Sequence, residues 1–204
     1  CGWGVETGSQ AILVSVAGDA PEVISTVHIE GYIQESRLVG NVLYVASQAY
    51  REIVTTEPVE PEPGGADDPD RPDGSTGEIE VREVVRWEWG SIVTSFDLSH
   101  PTDPQAPAEG GRHWFAGYGN VIYATDAYLF AVTQHQGDWW QSVVNVLDIS
   151  SPTGEMVKQA TIRPAGRVPD KFKMNLSENV FTVISEQRQR EDNRWTSGSV
   201  LETY

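Results

Sequence analysis

Asp68, Asp70, Asp73 and Glu78 gather hard oxygen donors around a glycine turn, the ligand chemistry that a calcium ion takes. Their spacing matches neither the EF-hand loop nor a nonapeptide calcium repeat, and interleaved prolines constrain it. These residues belong to a segment, 57–80, holding nine acidic residues, five prolines and one arginine. Such a composition cannot bury enough apolar area to offset ordering, so a disordered, solvated loop is the expectation set against calcium. A second set is Glu35-Ser36-Arg37 and Asp170-Lys171, charged groups at the starts of strand-like runs. They are expected either to form a polar ring that contacts a ligand or to tie neighbouring units together by salt bridges. Trp139 is a third candidate. With Trp140 beside it and Trp114, Phe115 and Tyr118 nearby, it offers an aromatic platform for a sugar or a peptide.

No catalytic residue emerges. His28, His100, His113 and His135 do not cluster, and the chain has no H-E-x-x-H, no G-x-S-x-G, no P-loop and no dinucleotide fingerprint. Cys1 is the only cysteine, so no disulfide forms within the chain; Cys1 reads either as a lipidation site or as a truncation point. The formal net charge is −16, from 30 acidic and 14 basic residues. That surface repels phosphate backbones and anionic lipid, which argues against nucleic acid and membrane-surface partners. No run approaches 18 consecutive apolar residues, so no transmembrane helix is expected.

The elements that would position these groups show in an internal repeat. Trp89-Gly-Ser91-Ile-Val93-Thr-Ser-Phe-Asp97-Leu-Ser99 and Trp140-Gln-Ser142-Val-Val144-Asn-Val-Leu-Asp148-Ile-Ser150 align without a gap as W-x-S-[IV]-V-x-x-[FL]-D-[LI]-S, with a proline two residues later (Pro101, Pro152). Each is followed by a Pro-containing turn and an extended segment ending in glycine, as at Val23–Gly31 and Gln159–Gly166. Trp3 and Trp195 are read as looser copies of the repeat tryptophan. Around them lie runs of five to seven residues rich in Val, Ile, Tyr and Phe, bounded by Gly, Asn, Asp and Pro, which is strand composition. Four short strands in about 50 residues, repeated, indicate an all-β fold, a β-propeller of about three four-stranded blades. Asp97 and Asp148 are expected to close the turn after the repeat strand by accepting backbone amides.

The expected organisation is residues 1–30 as the end of a blade, 31–110 as a blade carrying the insertion 57–80, 111–166 as a further blade and 167–204 as the start of another. About three blades do not close a ring, so the chain is expected to be part of a larger propeller.

Val27–Val45, Ser95-Phe-Asp-Leu-Ser99 and Gly166-Arg-Val-Pro-Asp-Lys-Phe-Lys-Met174 resemble the secreted bacterial and archaeal β-propeller-domain proteins, a family described as distantly WD40-like. The resemblance covers nearly the whole chain apart from the acidic insertion. Its most specific points are Glu35-Ser36-Arg37 and Asp170–Met174. It implies a propeller exposed outside the cytoplasm, secreted or attached to the cell envelope, and it supplies no activity. The expected function is a binding or scaffold module for a protein or glycan partner. The alternative is a hydrolase-like propeller enzyme with its site at the channel mouth.

Overall fold

The computed structural model describes residues 8–59, 81–107, 109–119, 121–135, 137–192 and 194–204. The Val-, Ile- and Tyr-rich runs form thirteen strands in four antiparallel sheets among these residues. The first sheet pairs β1 (Gly8–Ser15) with β2 (Glu22–Glu30). The second carries β3 (Tyr32–Val39), β4 (Val42–Pro58), β5 (Val81–Asp97) and β6 (Arg112–Ala116) side by side in chain order. The third repeats that meander with β7 (Val121–Ala124), β8 (Tyr128–His135), β9 (Asp138–Asp148) and β10 (Val157–Ile162). The last has β11 (Met174–Ser177), β12 (Val180–Glu191) and β13 (Arg194–Thr203). These are the blades of a propeller, and the all-β reading holds.

Period-two alternation gives the second and third sheets two apolar faces, each buried against a different neighbour. In β8, Leu129 and Ala131 pack with Tyr44, Val93 and Phe115 of the second sheet. Phe130 and Val132 on the opposite face pack with Met174, Phe181 and Val183 of the fourth. The Phe130 and Phe181 rings stack 4.3 Å apart. The same alternation in β4 sends Tyr44 towards the third sheet and Val45 towards Val27, Ile29 and Phe96 beside the first. Leu129, Leu147 and Val144 have no exposed surface, and burying such a side chain stabilises by roughly 1.5–3 kcal/mol.

The repeat serves the joints between sheets. Ser9 Oγ donates to Gly31 O (2.8 Å) and accepts from Ile33 N, and Ser142 Oγ accepts from Val168 N (2.9 Å). Ser91 Oγ donates to Gly117 O at 3.2 Å. Each serine thus holds the connector that leads into the following sheet. The glycines of those connectors are required by contact. A Cβ on Gly31, Gly117 or Gly166 would lie 2.0, 2.2 or 2.1 Å from the carbonyl oxygen of Gln48, Gln134 or Glu186. Asp97 and Asp148 accept the amides of Ser99 and Ser150 at 2.8 and 2.9 Å, closing the turns as expected. The Ser99 and Ser150 donors hold both carboxyls below the usual aspartate range.

Several placements differ from the sequence expectation. The second sheet extends to Ala116, because β6 pairs with β5 from Gly90↔Ala116 to Thr94↔Arg112; the glycine that ends it is Gly117, and the boundary at 110 falls short. Strands β4 and β5 also run much further than the apolar stretches, to Pro58 and from Val81. Their ends form a compact unit of their own, Arg51–Glu88. Cross-strand charges pair it: Arg51 with Glu88 at 2.8 Å, and Glu57 with Arg82 and Arg86. The repeat registers shift too. Ser9 occupies the serine position, which by count sets the tryptophan position at residue 7; Trp3 lies outside the described residues. Glu186↔Ser199 corresponds to Gln134↔Ser142, so Ser199, and not Ser197 after Trp195, is the matching serine.

Candidate functional site

Strand β3 begins just past the Gly31 connector, and its alternation places Glu35 and Arg37 on one side, towards the third sheet. Glu35 Oε2 accepts the Ile122 N–H of β7 at 2.8 Å. Its Oε1 pairs with Arg37 and, at 3.1 Å, with Lys171 Nζ. Arg37 also donates to Ile122 O at 3.2 Å. One carboxylate therefore joins groups from β3, β7 and the 3₁₀ turn before β11. Its side chain is 18% exposed. Burial pushes the Glu35 carboxyl up, but the Ile122 amide, the Arg37 guanidinium and the Lys171 ammonium outweigh it and hold it below the usual range.

The structure thus brings together Glu35, Arg37 and Lys171: Glu35 and Arg37 pair within β3, and Lys171 reaches Glu35 from the turn before β11. The third sheet carries no equivalent of this set. Counting from the connector glycines, Glu35 and Arg37 correspond to Val121 and Tyr123 in the third sheet, where Tyr123 Oη instead accepts from Leu176 N at 3.3 Å. Asp170 stands apart. Its carboxylate accepts the Phe172 amide at 2.8 Å and caps the short 3₁₀ turn Lys171–Lys173.

The aromatic candidates separate sharply. Trp139, in the first turn of β9 after the β8–β9 hairpin, is 67% exposed, with the Tyr118 ring 6.3 Å away. Trp140 points to the other face. It is half-buried. Arg188 of β12 lies 3.6 Å from its ring centroid and Arg167 5.9 Å, so it stacks against cations from the neighbouring sheet. Its repeat partner Trp89 packs against Tyr50 at 4.2 Å. Tyr32 and Tyr118 both directly follow connector glycines. The rings form two separate pairs, Tyr50 with Trp89 and Tyr118 with Trp139.

Asp68, Asp70, Asp73 and Glu78 lie outside the described residues. Among the described residues no group of three or more His, Cys, Asp or Glu side chains is placed to hold a metal ion. His113 is engaged with the backbone, its Nε2 2.9 Å from Met156 O. Sequence reasoning missed the role of Ile122 and of Arg188. Both act across joints between sheets, and spacing along one strand carries no signal of that.

The family model described as "Beta propeller domain" matches residues 3–201, nearly the whole chain, and the chain belongs to that family. Neither the curated proteins nor the solved structures contain a match.

Proposed function

We propose that this β-propeller domain is a non-catalytic binding module that holds a glycan against the connector end of its blades. Trp139 is the principal contact. The observation that carries the reading is its 67% exposed indole flanked by Tyr118, on a hairpin anchored by a packed sheet. A large ring left in water at a rigid position favours the apolar C–H face of a sugar over solvent. An extracytoplasmic location accords with the resemblance of Val27–Val45 and Gly166–Met174 to secreted propeller proteins.

The test is a tryptophan-fluorescence titration of the full chain and of Trp139→Ala against soluble oligosaccharides. Truncating a contact of this kind costs about 2 kcal/mol, close to a 30-fold loss of affinity. Equal titration curves for both proteins remove Trp139 from the site. Saturable binding of a peptide with no binding of sugars assigns the surface to a protein partner.

A further inference from the structure

A cavity of about 310 Å³ opens between the second and third sheets. Trp114 and Phe115 of β6 form one wall. Gln134 of β8 and Asn145 of β9 form the other, with Lys158 of β10 at the rim. Its volume lies at the lower end of small-molecule sites, which fits one ring better than a polymer strand.

The joint between these sheets departs from the repeat in ways that build the cavity. Trp114 stands three residues before connector Gly117, where the equivalent positions before Gly31 and Gly166 hold His28 and Arg163. The indole is seated over Gly90, where a Cβ would lie 2.2 Å from the ring. The other copy of the repeat has Gln141 at that position, so the glycine and the tryptophan are a matched departure. Gln134 Oε1 is buried with no hydrogen-bond partner among the described residues. Asn145, 4% exposed, donates only a long 3.5 Å contact to Ala131 O among the described residues. Lys158 Nζ lies 5.7 Å from the Phe115 ring centroid and has no carboxylate within 4 Å among the described residues.

We propose that this cavity takes a single acidic sugar ring, a hexuronate free or at the end of a glycan. The aromatic wall accepts the C–H face of the ring. A hydroxyl donates to Gln134 Oε1, which a buried acceptor without a partner requires. The carboxylate pairs with Lys158, whose position over an aromatic ring places its charge at the mouth. The site is built from residues other than Trp139 and Tyr118 and does not depend on the role proposed for them.

Calorimetric titration of the full chain with glucuronate, glucose, sulfate and a short oligouronide tests the assignment, with Lys158→Met, Gln134→Met and Trp139→Ala as variants. Glucuronate is expected to bind at least tenfold more tightly than glucose, and Lys158→Met to abolish that preference while leaving the melting temperature unchanged. Gln134→Met removes an unsatisfied acceptor, so the ligand-free protein is expected to melt at or above the wild-type temperature while glucuronate binding falls at least fivefold. A purely structural glutamine would show the reverse. Trp139→Ala is expected to bind glucuronate as wild type does, so loss of the Trp139 glycan surface and loss of this cavity read out separately. An oligouronide that binds no better than glucuronate places only the terminal ring in the site. No binding of glucuronate overturns the proposal, as does equal binding of sulfate or indifference to both cavity variants.

Discussion

Glu35→Gln removes the charge from the carboxylate that joins β3 to β7 and to the 3₁₀ turn before β11, while keeping an oxygen to accept the Ile122 amide. What is lost is the pairing with Arg37 and Lys171. The side chains of Glu35, Arg37 and Lys171 are 18%, 24% and 36% exposed, between a surface pair and a buried one. Breaking a fully buried pair costs about 3–5 kcal/mol and an exposed pair contributes about 0.2–1 kcal/mol. Intermediate burial sets the expectation at about 2 kcal/mol, or roughly 4–8 °C in melting temperature for a chain of this size. The pH dependence gives a second and independent handle. The Glu35 carboxyl is held below its ordinary value of 4.5, so the folded chain binds this proton less readily than the unfolded chain. Its contribution is therefore fully present above that ordinary value and drains away as pH falls through the folded one. Thermal melts followed by circular dichroism from pH 7 to pH 3 should show the wild type and Glu35→Gln converging at the acid end. Because the cluster is partly buried, most of the gap at pH 7 should survive 1 M salt. A gap that vanishes in salt, or stays constant down to pH 3, would show the cluster to be a solvated surface pair and refute the reasoning.

Two other perturbations probe the joints and the core. Gly117 has φ of +97° and its Cβ would strike Gln134 O, whereas Gly40 has φ of +56° with open space around it. Gly117→Ala is expected to lose at least about 3 kcal/mol and Gly40→Ala about 1 kcal/mol by chemical denaturation, since only the first adds a clash to backbone strain; equal losses would show that strain alone matters. Burial pushes the Tyr44 hydroxyl up to about 12, so absorbance titration at 295 nm should show a tyrosine signal lagging the rest that disappears in Tyr44→Phe. The folded form holds this proton while the unfolded form releases it, so Tyr44 weakens the fold as pH rises from 10 towards 12, and Tyr44→Phe should flatten that decline.

The parts legible in the sequence were those that the repeat writes twice. Ser91 and Ser142, Val93 and Val144, Asp97 and Asp148 recur because every joint between sheets has the same geometry to satisfy, and a shared constraint leaves a shared pattern. The turn role of the aspartates follows from chemistry within two residues, so it could be read directly. The strand extension to Pro58 could not. Arg51, Glu57, Arg82, Arg86 and Glu88 hold it by paired charge, and charged residues that flank a Pro-rich acidic segment read as loop.

The candidate sites lay between these limits for a reason that topology supplies. Glu35 meets Ile122 across 87 residues and Lys171 across 136, so the chemistry at a joint is assembled from segments that a local reading never sets side by side. Glu35-Ser36-Arg37 was noticed for its charge, yet only the register of β3 against β7 decides that its carboxylate turns into the joint. What individual blades share holds the sheets together, and where they differ the joint is free to do something else. Val121 in place of Glu35 removes an ion pair, and Trp114 over Gly90 opens a cavity where the other repeat copy has Gln141. In a fold made by repetition, then, selectivity for a ligand is best sought at the mismatches between aligned blades. Exposed Trp139 and the Trp114 cavity are both departures of that kind.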